Sequence, residues 1–467
     1  MATDSVSLCG HPGVLAEALE LAGWSPRDLV RAINPRLNAM GQPGMDPTAG
    51  HGWLRGGLPR SPAVRDLAVV VLSQATGRQY TSSQLWGRDH PAPEPRATEE
   101  LLGPMPLQRV LNVAAAWASG TVEAALVHPA SEGRLTAAAW DATRQPLVPS
   151  AAGRGSDYVP PEYAGMLEEQ LVSLRRLDDR AGGGPLSQRH ARIALHEAVT
   201  LINVGRYSAA TGSRLLRHAA GTAQLAGWLS FDARLDPAAH RYLLLAIRIA
   251  SAAGDADMVA NALGMLAYQH AASSSPDVAL RFAHAAVEHS ARSVPVVRAR
   301  AWGRLATACA SAGDLPGFQR AVERCRHYLS QRRPDDPPSL YYLTPQQVDA
   351  ECGQALVDIA QRAQGRRPAL LAEAAELLSP IAAQGAADGY RRSGLLHGIH
   401  LIRASVIARD TEATAHWAAA VAGQIPHVQS IRCRALLGEV SSRARRQLTA
   451  AGRTDALEAV GEALSGV

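Results

Sequence analysis

The chain has 467 residues, of which 47% are hydrophobic and 19% are charged, and its formal net charge at pH 7 is +5. This length is more than one hydrophobic core supports, so we expect at least two folded units, and the composition excludes a disordered chain. No apolar run reaches the roughly 18 residues of a bilayer span, and the first residues lack the basic-then-apolar order of a signal peptide. We therefore expect a cytoplasmic protein that does not enter a membrane.

The basic residues are all of one kind, because the 47 positions counted as lysine or arginine are all arginine. A Walker A loop, a pyridoxal phosphate enzyme and a Ser-x-x-Lys hydrolase each need a lysine, so these classes are excluded. Neither Gly-x-Ser-x-Gly nor His-Glu-x-x-His occurs in the chain. We expect neither an enzymatic activity nor a cofactor.

Candidate metal ligands are scattered along the chain. The five cysteines have no Cys-x-x-Cys spacing, and four of them fall in stretches that read as helix, which predicts small buried apolar groups. His397 and His400 have the i, i+3 spacing of some metal sites, but no cysteine or carboxylate is near them in sequence. We predict structural roles for these histidines and no metal site.

The first 88 residues carry the signals of a small helical unit. An apolar stripe over residues 14–22 predicts a first helix that ends at Gly23. Ser25-Pro26-Arg27-Asp28 predicts the start of a second helix, with a capping box between the serine and the aspartate. Ser61-Pro62 predicts the start of a fourth helix.

A third helix is predicted within residues 46–60. Asp46 can cap its first turn, and Gly56-Gly57 permits a left-handed stop. We expect Trp53 to face the core of the unit. The preceding residues 34–45 hold two prolines and two glycines, so they are predicted to form a loop.

A proline-rich stretch follows this unit. Residues 87–106 contain five prolines, which is typical of a linker. The sequence therefore divides into a helix-turn-helix unit (1–88), a linker and connecting segment (89–160), and a third unit (161–467). The fold of residues 107–150 stays open.

The third unit has the pattern of a helical repeat. Tyr242 and Phe282 lie 40 residues apart, and Leu280 and Phe318 lie 38 apart, while prolines near these positions begin the second helix of successive pairs. A period near 38 falls between the tetratricopeptide and the HEAT or armadillo lengths. We expect an all-α fold in which a tetratricopeptide-like solenoid of roughly six to seven helix pairs follows the N-terminal unit.

Two stretches match the pattern of one protein family. The segments Thr48-Ala49, His51, Trp53-Leu54-Arg55-Gly56 and Pro59-Arg60-Ser61-Pro62 resemble the lambda-repressor-like helix-turn-helix of large actinobacterial regulators. Leu225-Ala-Gly-Trp-Leu-Ser-Phe-Asp232, with Tyr242 and Ala253-Gly254-Asp255 after it, is similar to the tetratricopeptide domain of the same proteins. The resemblance implies a negative regulator of sporulation and antibiotic production, whose repeat domain binds a peptide or small-molecule effector.

This interpretation assigns DNA-contacting residues. Thr48, Ala49 and His51 would meet base edges of double-stranded DNA from the front of the third helix, and Arg27, Arg55 and Arg60 would reach phosphates or a guanine. Residues 11–88 hold eight arginines against five acidic residues, a small surplus that predicts weak non-specific attraction. We therefore expect a homodimer, in which two half-sites share the binding.

The third unit contains the candidate effector site. The first helix of each pair normally lines the concave face of a solenoid, which places Asn261, Tyr268, Arg300 and Arg304 on that face. Two arginines four residues apart could hold a carboxylate or a phosphate. Alternatively, each arginine pairs with an acidic residue of a neighbouring helix.

The sequence thus leads to two functional hypotheses. The first is a homodimeric transcriptional repressor with effector binding or dimerisation by its helical repeats. The alternative is a tetratricopeptide interaction scaffold whose helix-turn-helix has degenerated, because Gly50 and Gly52 each weaken the third helix by roughly 1 kcal/mol relative to alanine.

Overall fold

A computed structural model of the chain describes residues 13–40, 42–76, 78, 80–87, 99, 101–119, 124–147, 152–273, 275–363, 365–384, 389–452, 455, 458 and 461. Cys9, Gly77 and residues 88–98 of the predicted linker lie outside this described part. The described chain is overwhelmingly helical, so the prediction of an all-α fold is confirmed. None of its helices combines the length and the apolar character that crossing a membrane requires.

The N-terminal and connecting segments contain helices α1 (Gly13–Ala22), α2 (Pro26–Ala39), α3 (Gly50–Trp53), α4 (Pro62–Thr76), α5 (Ser82–Trp86), α6 (Leu107–Ala118), α7 (Ala124–Val127) and α8 (Glu132–Thr143). The following helices are α9 (Pro161–Ala181), α10 (Pro185–Val204), α11 (Ala209–Asp232), α12 (Asp236–Ala252), α13 (Ala256–Ala272), α14 (Pro276–His289), α15 (Pro295–Ala312), α16 (Leu315–Leu329), α17 (Pro345–Arg362), α18 (Arg367–Gln384), α19 (Arg391–Ala408), α20 (Thr411–Ala422) and α21 (Ile431–Ala450). Short 3-10 turns occupy Pro338–Leu340 and Ile425–His427.

A small three-stranded sheet interrupts the helices. Its strands are β1 (Gly153–Arg154), β2 (Asp157–Tyr158) and β3 (Gly205–Tyr207), and β3 lies in the middle. β3 pairs antiparallel with β1 and parallel with β2. The sheet therefore ties the segment before α9 to the end of α10.

Most of the N-terminal unit follows its capping signals. α1 ends at Gly23, whose φ is +67°, and Ser25 and Asp28 form the predicted capping box at the start of α2. Trp53 is buried, as predicted, and its ring contacts that of Trp86 edge-on, with 5.9 Å between the ring centroids. These aromatic rings complete the core between α3, α4 and α5.

The short third helix, which was predicted to run from Asp46 to the glycine pair, is shorter than expected, because α3 covers only four residues between turns. The Gly57 amide donates to the Gly52 carbonyl at 3.0 Å, and Gly56 has a φ of +91°, so the glycine pair ends the helix as predicted. Asp46 caps the segment by accepting from the Thr48 amide at 2.7 Å. The glycines explain the difference in length, since each lowers helix propensity.

The connecting segment, whose fold the sequence left open, forms helices α6 to α8. These helices pack against α12. Buried Arg248 of α12 donates to the carbonyl oxygens of Leu101 and Gly103 and pairs with Asp141 at 3.0 Å. Leu101, Gly103 and α8 are thus held against α12.

From α11 onward the helices pack in consecutive pairs, α11 with α12, α13 with α14, α15 with α16, α17 with α18, and α19 with α20. Pro237, Pro276 and Pro316 lie in the first turns of α12, α14 and α16, as predicted. Proline is well suited to this position, because its fixed φ is helical and its missing amide would have no partner there.

The first helices of these five pairs form a closed ring together with α21. α11, α13, α15, α17, α19 and α21 each contact the next helix in this order, and α21 also contacts α11. α9 packs against both α11 and α19, at the place where the ring closes. The ring therefore surrounds a space that is bounded by helices from distant parts of the chain.

The N-terminal unit is packed onto this array. α2 contacts α10, α4 contacts α7, and the buried apolar side chains form one cluster that runs from α1 into the paired helices. Arg36 of α2 is buried near Arg234 and Asp236, and burial lowers its pKa to about 10. The two parts of the described chain thus share one core.

Candidate functional site

The first candidate surface lies on the N-terminal unit. Thr48, His51 and Arg55 follow one another at spacings of three and four residues, and all of them are exposed. Gly50 and Trp53, between them, are buried. This alternation gives the short helical segment one outward and one inward face.

The N-terminus of α2 adjoins this outward face. A Cβ placed on Gly50 would lie 2.4 Å from the Pro26 carbonyl oxygen, so α3 can approach α2 this closely only with glycine at that position. Arg27 is exposed beside this contact. Hydrogen bonds from Thr48, with a further contribution from the Arg27 charge, lower the pKa of the Asp46 carboxyl.

The six predicted DNA-contacting residues have different environments. Arg27, Thr48, His51, Arg55 and Arg60 are exposed, whereas Ala49 is half-buried and packs on the core. Ala49 therefore contributes less free surface than the sequence predicted, because α3 turns that side toward α2.

The second candidate site is the cavity inside the ring. Its empty space, open solvent at the mouth included, is about 830 Å³. Its wall consists of Arg175, Asp178, Asp179, Gln224, Leu225, Trp228, Asn261, Met265, Tyr268, Arg304, Ser339, Tyr341, Tyr342, Gln347, Glu351, Gln354, Tyr390, Arg392, Ser393, Leu396, His397 and Arg432. All six helices of the ring and α9 contribute to this wall.

Three of the predicted effector-binding residues, Asn261, Tyr268 and Arg304, line the cavity. Arg300 lies behind the wall, where its guanidinium donates to both carboxylate oxygens of Glu351 at 3.0 and 2.6 Å. The alternative of pairing with a neighbouring helix therefore holds for Arg300. Burial alone would raise the pKa of Glu351, but the charges of Arg300 and Arg304 outweigh it and lower this pKa to about 2.

A buried polar cluster closes the cavity on the side of α9. The Trp228 indole donates to the Asp178 carboxylate at 2.9 Å, and Arg392 lies 3.3 Å from the same oxygen. The other Asp178 oxygen has no hydrogen-bond partner. Burial raises the pKa of Asp178 to about 7 in spite of the Arg392 charge.

Arg432 of α21 connects the aromatic part of the wall to α11. Its guanidinium lies within 6 Å of the rings of Trp228, Phe231 and Tyr268 and donates to the Tyr268 hydroxyl at 3.0 Å. It also lies 3.4 Å from the Asp232 carboxylate. Tyr268 is thereby held in position by a residue more than 160 positions away.

The two histidines of α19 are both buried. His397 lines the cavity and shares a hydrogen bond of 2.8 Å with the Gln354 side chain through Nδ1, while its buried Nε2 has no partner among the described residues. Burial lowers the pKa of His397 to about 4. The predicted burial of the four described cysteines, Cys309, Cys325, Cys352 and Cys433, is confirmed. Within the described residues, no cluster of three or more His, Cys, Asp or Glu side chains could hold a metal ion.

α9 contributes wall residues that were not among the predicted effector-binding residues. Arg175, Asp178 and Asp179 belong to a run of charged residues that is typical of a solvated helix face. Their i, i+3 and i+4 spacing places them on one side of the helix, and this was the one sequence feature that could have indicated a shared site. The contact of α9 with α19 spans too much of the chain for any sequence pattern to indicate it.

Neither the protein-family models nor the curated proteins with which the chain was compared gave a match. The site must therefore be interpreted from its own chemistry.

Proposed function

We propose that this protein is a DNA-binding transcriptional regulator, a repressor of the kind that the family resemblance implies, and that it acts in the cytoplasm as a homodimer. The observation that supports DNA binding best is the exposed face formed by Thr48, His51 and Arg55, with Arg27 next to it. A helix presents base-reading side chains to the major groove from such a face, while neighbouring arginines contact phosphates.

The cavity supports an effector-responsive form of this function. It is enclosed by the ring, and the N-terminal unit packs on α10, which itself packs on α11 of the ring. A ligand that binds one arrangement of these helices better than another shifts the population toward that arrangement. We propose that this shift alters how the N-terminal unit meets DNA.

The test is capture of genomic DNA fragments by the purified full-length protein, followed by sequencing of the bound fragments. We expect discrete sites that are lost in Arg55→Ala and Thr48→Ala. Arg78→Ala is the matched control, because Arg78 is exposed on the same unit but pairs with Glu17 of α1 at 3.1 Å. It should retain the same sites.

Arg27 allows a second measurement on a captured site. If it contacts a phosphate, Arg27→Ala weakens binding about equally for all sequences and lowers the slope of log K against log salt by about 1. Loss of discrimination at one base pair, with an unchanged salt slope, would contradict this role.

A second candidate function is an interaction scaffold, which the single turn of α3 favours. A four-residue helix offers less surface to the groove than a full recognition helix does. Uniform background capture by a correctly folded parent protein would support the scaffold and exclude the regulator.

A further inference from the structure

The cavity wall carries cations that its carboxylates do not match. Four arginines line the cavity, Arg175, Arg304, Arg392 and Arg432, against three carboxylates, Asp178, Asp179 and Glu351. Arg392 pairs with both aspartates, and Arg432 pairs with Asp232 behind the wall. Arg175 and Arg304 remain without a carboxylate of their own.

Each of these two arginines interacts with the charge of one wall carboxylate, Asp179 for Arg175 and Glu351 for Arg304, but its closest polar or aromatic neighbour is uncharged. Arg175 donates to the Gln224 side chain at 2.9 Å, and no carboxylate of a described residue forms an ion pair with it. Arg304 lies over the Tyr268 ring at 4.5 Å, and its nearest carboxylate oxygen, on Glu351, is 4.0 Å away and already bound by Arg300. Arg304 is therefore buried and Arg175 half-buried, and neither guanidinium has a carboxylate of a described residue within hydrogen-bond distance.

Tyr342 is a common neighbour of Arg175 and Arg304. It interacts electrostatically with both guanidinium groups, and all three side chains line the cavity. Burial lowers the pKa of Arg175 to about 10, and burial followed by the charge of Arg300 lowers that of Arg304. A buried cation costs free energy that a nearby anion recovers.

The part of the wall where α9 meets α19 offers a second polar contact. His397 is 1% exposed, and its Nε2 has no protein partner. Asp178 is 3% exposed, and its Oδ1 has none either. Buried polar atoms of this kind are normally satisfied, so they mark the place where a bound molecule makes hydrogen bonds.

We propose that the cavity binds a small organic anion whose carboxylate or phosphate lies between Arg175 and Arg304 and whose other end hydrogen-bonds to His397. Trp228, Tyr268 and Tyr342 in the wall suit a planar ring between these two ends. The inference rests on the sensor role proposed above and names the chemical class of its ligand.

The experiment uses the full-length protein without DNA. Thermal melting and isothermal titration calorimetry are recorded with 4-hydroxybenzoate, phenyl phosphate, inorganic phosphate and the neutral analogue 4-hydroxybenzamide, at constant ionic strength. We expect 4-hydroxybenzoate or phenyl phosphate to bind and to raise Tm by a few degrees, and the amide not to bind. The two ring-bearing anions distinguish a carboxylate from a phosphate.

Variants locate the binding. Arg175→Gln and Arg304→Gln should each weaken the affinity for the anion by about tenfold or more, the effect of one lost charge-assisted hydrogen bond. Arg189→Gln, on the exposed surface of α10, is the control and should bind as the parent does. His397→Asn should lose affinity for 4-hydroxybenzoate but less so for inorganic phosphate.

The stability of the ligand-free variants gives an independent readout. Arg175→Gln should melt at the same or a higher temperature than the parent, because it removes a desolvated charge. The proposal is overturned if the anions and the amide behave alike, if neither ring-bearing anion binds, or if the arginine variants melt lower while anion binding persists. Anion binding without discrete DNA sites would leave this inference standing and exclude the regulator.

Discussion

Arg392 Nη2 lies 3.3 Å from Asp178 Oδ2, and this ion pair joins α19 to α9 across more than 200 residues of chain. Both side chains are buried. The pair stands at the place where the ring of helices closes and also forms part of the cavity wall. The charge state of Asp178 therefore affects both the contact of α9 with α19, where the ring closes, and the charge of the cavity wall.

Stability should depend on pH through Asp178. Its pKa is raised from 3.8 to about 7 by burial, so the folded state holds a proton that the unfolded state has released between these values. This contribution to stability is present below pH 4 and is lost as the pH rises toward 7. The Tm difference between the parent and Asp178→Asn should therefore fall over that interval. A constant difference would contradict the raised pKa.

His397 should give the opposite pH dependence. Burial lowers its pKa from 6.5 to about 4, so the unfolded state binds the proton first as the pH falls. The parent should lose stability between pH 6.5 and 4 relative to His397→Asn, whose side-chain oxygen can still accept from Gln354. Melting curves of both proteins across this range provide the measurement. Parallel curves would show that folding does not shift the pKa of His397.

Two glycines of α3 form a matched pair. Gly50→Ala places a Cβ 2.4 Å from the Pro26 carbonyl oxygen and should cost about 1–3 kcal/mol, whereas Gly52→Ala meets no atom within 4 Å. Gly52→Ala should stabilise the helix by about 0.5–1 kcal/mol. Urea unfolding measures both effects, and DNA capture should weaken only in Gly50→Ala. Equal effects of the two substitutions would exclude the close contact between α2 and α3.

Removing one partner of the Arg300–Glu351 pair should lower the free energy of unfolding much more than replacing both partners with apolar residues. Glu351→Ala leaves the buried Arg300 guanidinium without its carboxylate and should cost about 3–5 kcal/mol in urea unfolding. The double variant Arg300→Met with Glu351→Leu should recover most of that loss, since the unpaired charge of Arg300 is removed with its partner. Additive losses would mean that the two side chains act independently.

Local signals predicted much of this fold. The capping box of Ser25 and Asp28, the left-handed Gly56 and the first-turn prolines each act within a few residues, so a sequence pattern reveals them. The inward position of Tyr268 and Arg304 follows from helix periodicity in the same way. The length of α3 was predicted less well, because the capping residues at its ends favour a helix, whereas the glycines within it lower its helix propensity.

Long-range packing was beyond such patterns. The closed ring depends on contacts of α9 with α19 and of α11 with α21, which no local periodicity encodes. Arg175 and Asp178 therefore looked like solvent-exposed charges, although tertiary packing places them in a cavity. How far they are buried depends on the helix that packs against α9. That helix is α19, which begins at Arg391.

If the protein binds DNA as proposed, the shared core of α2 and α10 constrains the operator. Because the face formed by Thr48, His51 and Arg55 belongs to a unit that packs on the paired helices, a symmetric dimer would hold its two copies of this face at one separation and one rotation about the duplex. Inserting about five base pairs between half-sites turns one of them to the far side of the DNA. A rigid protein of this build would engage only one of the two.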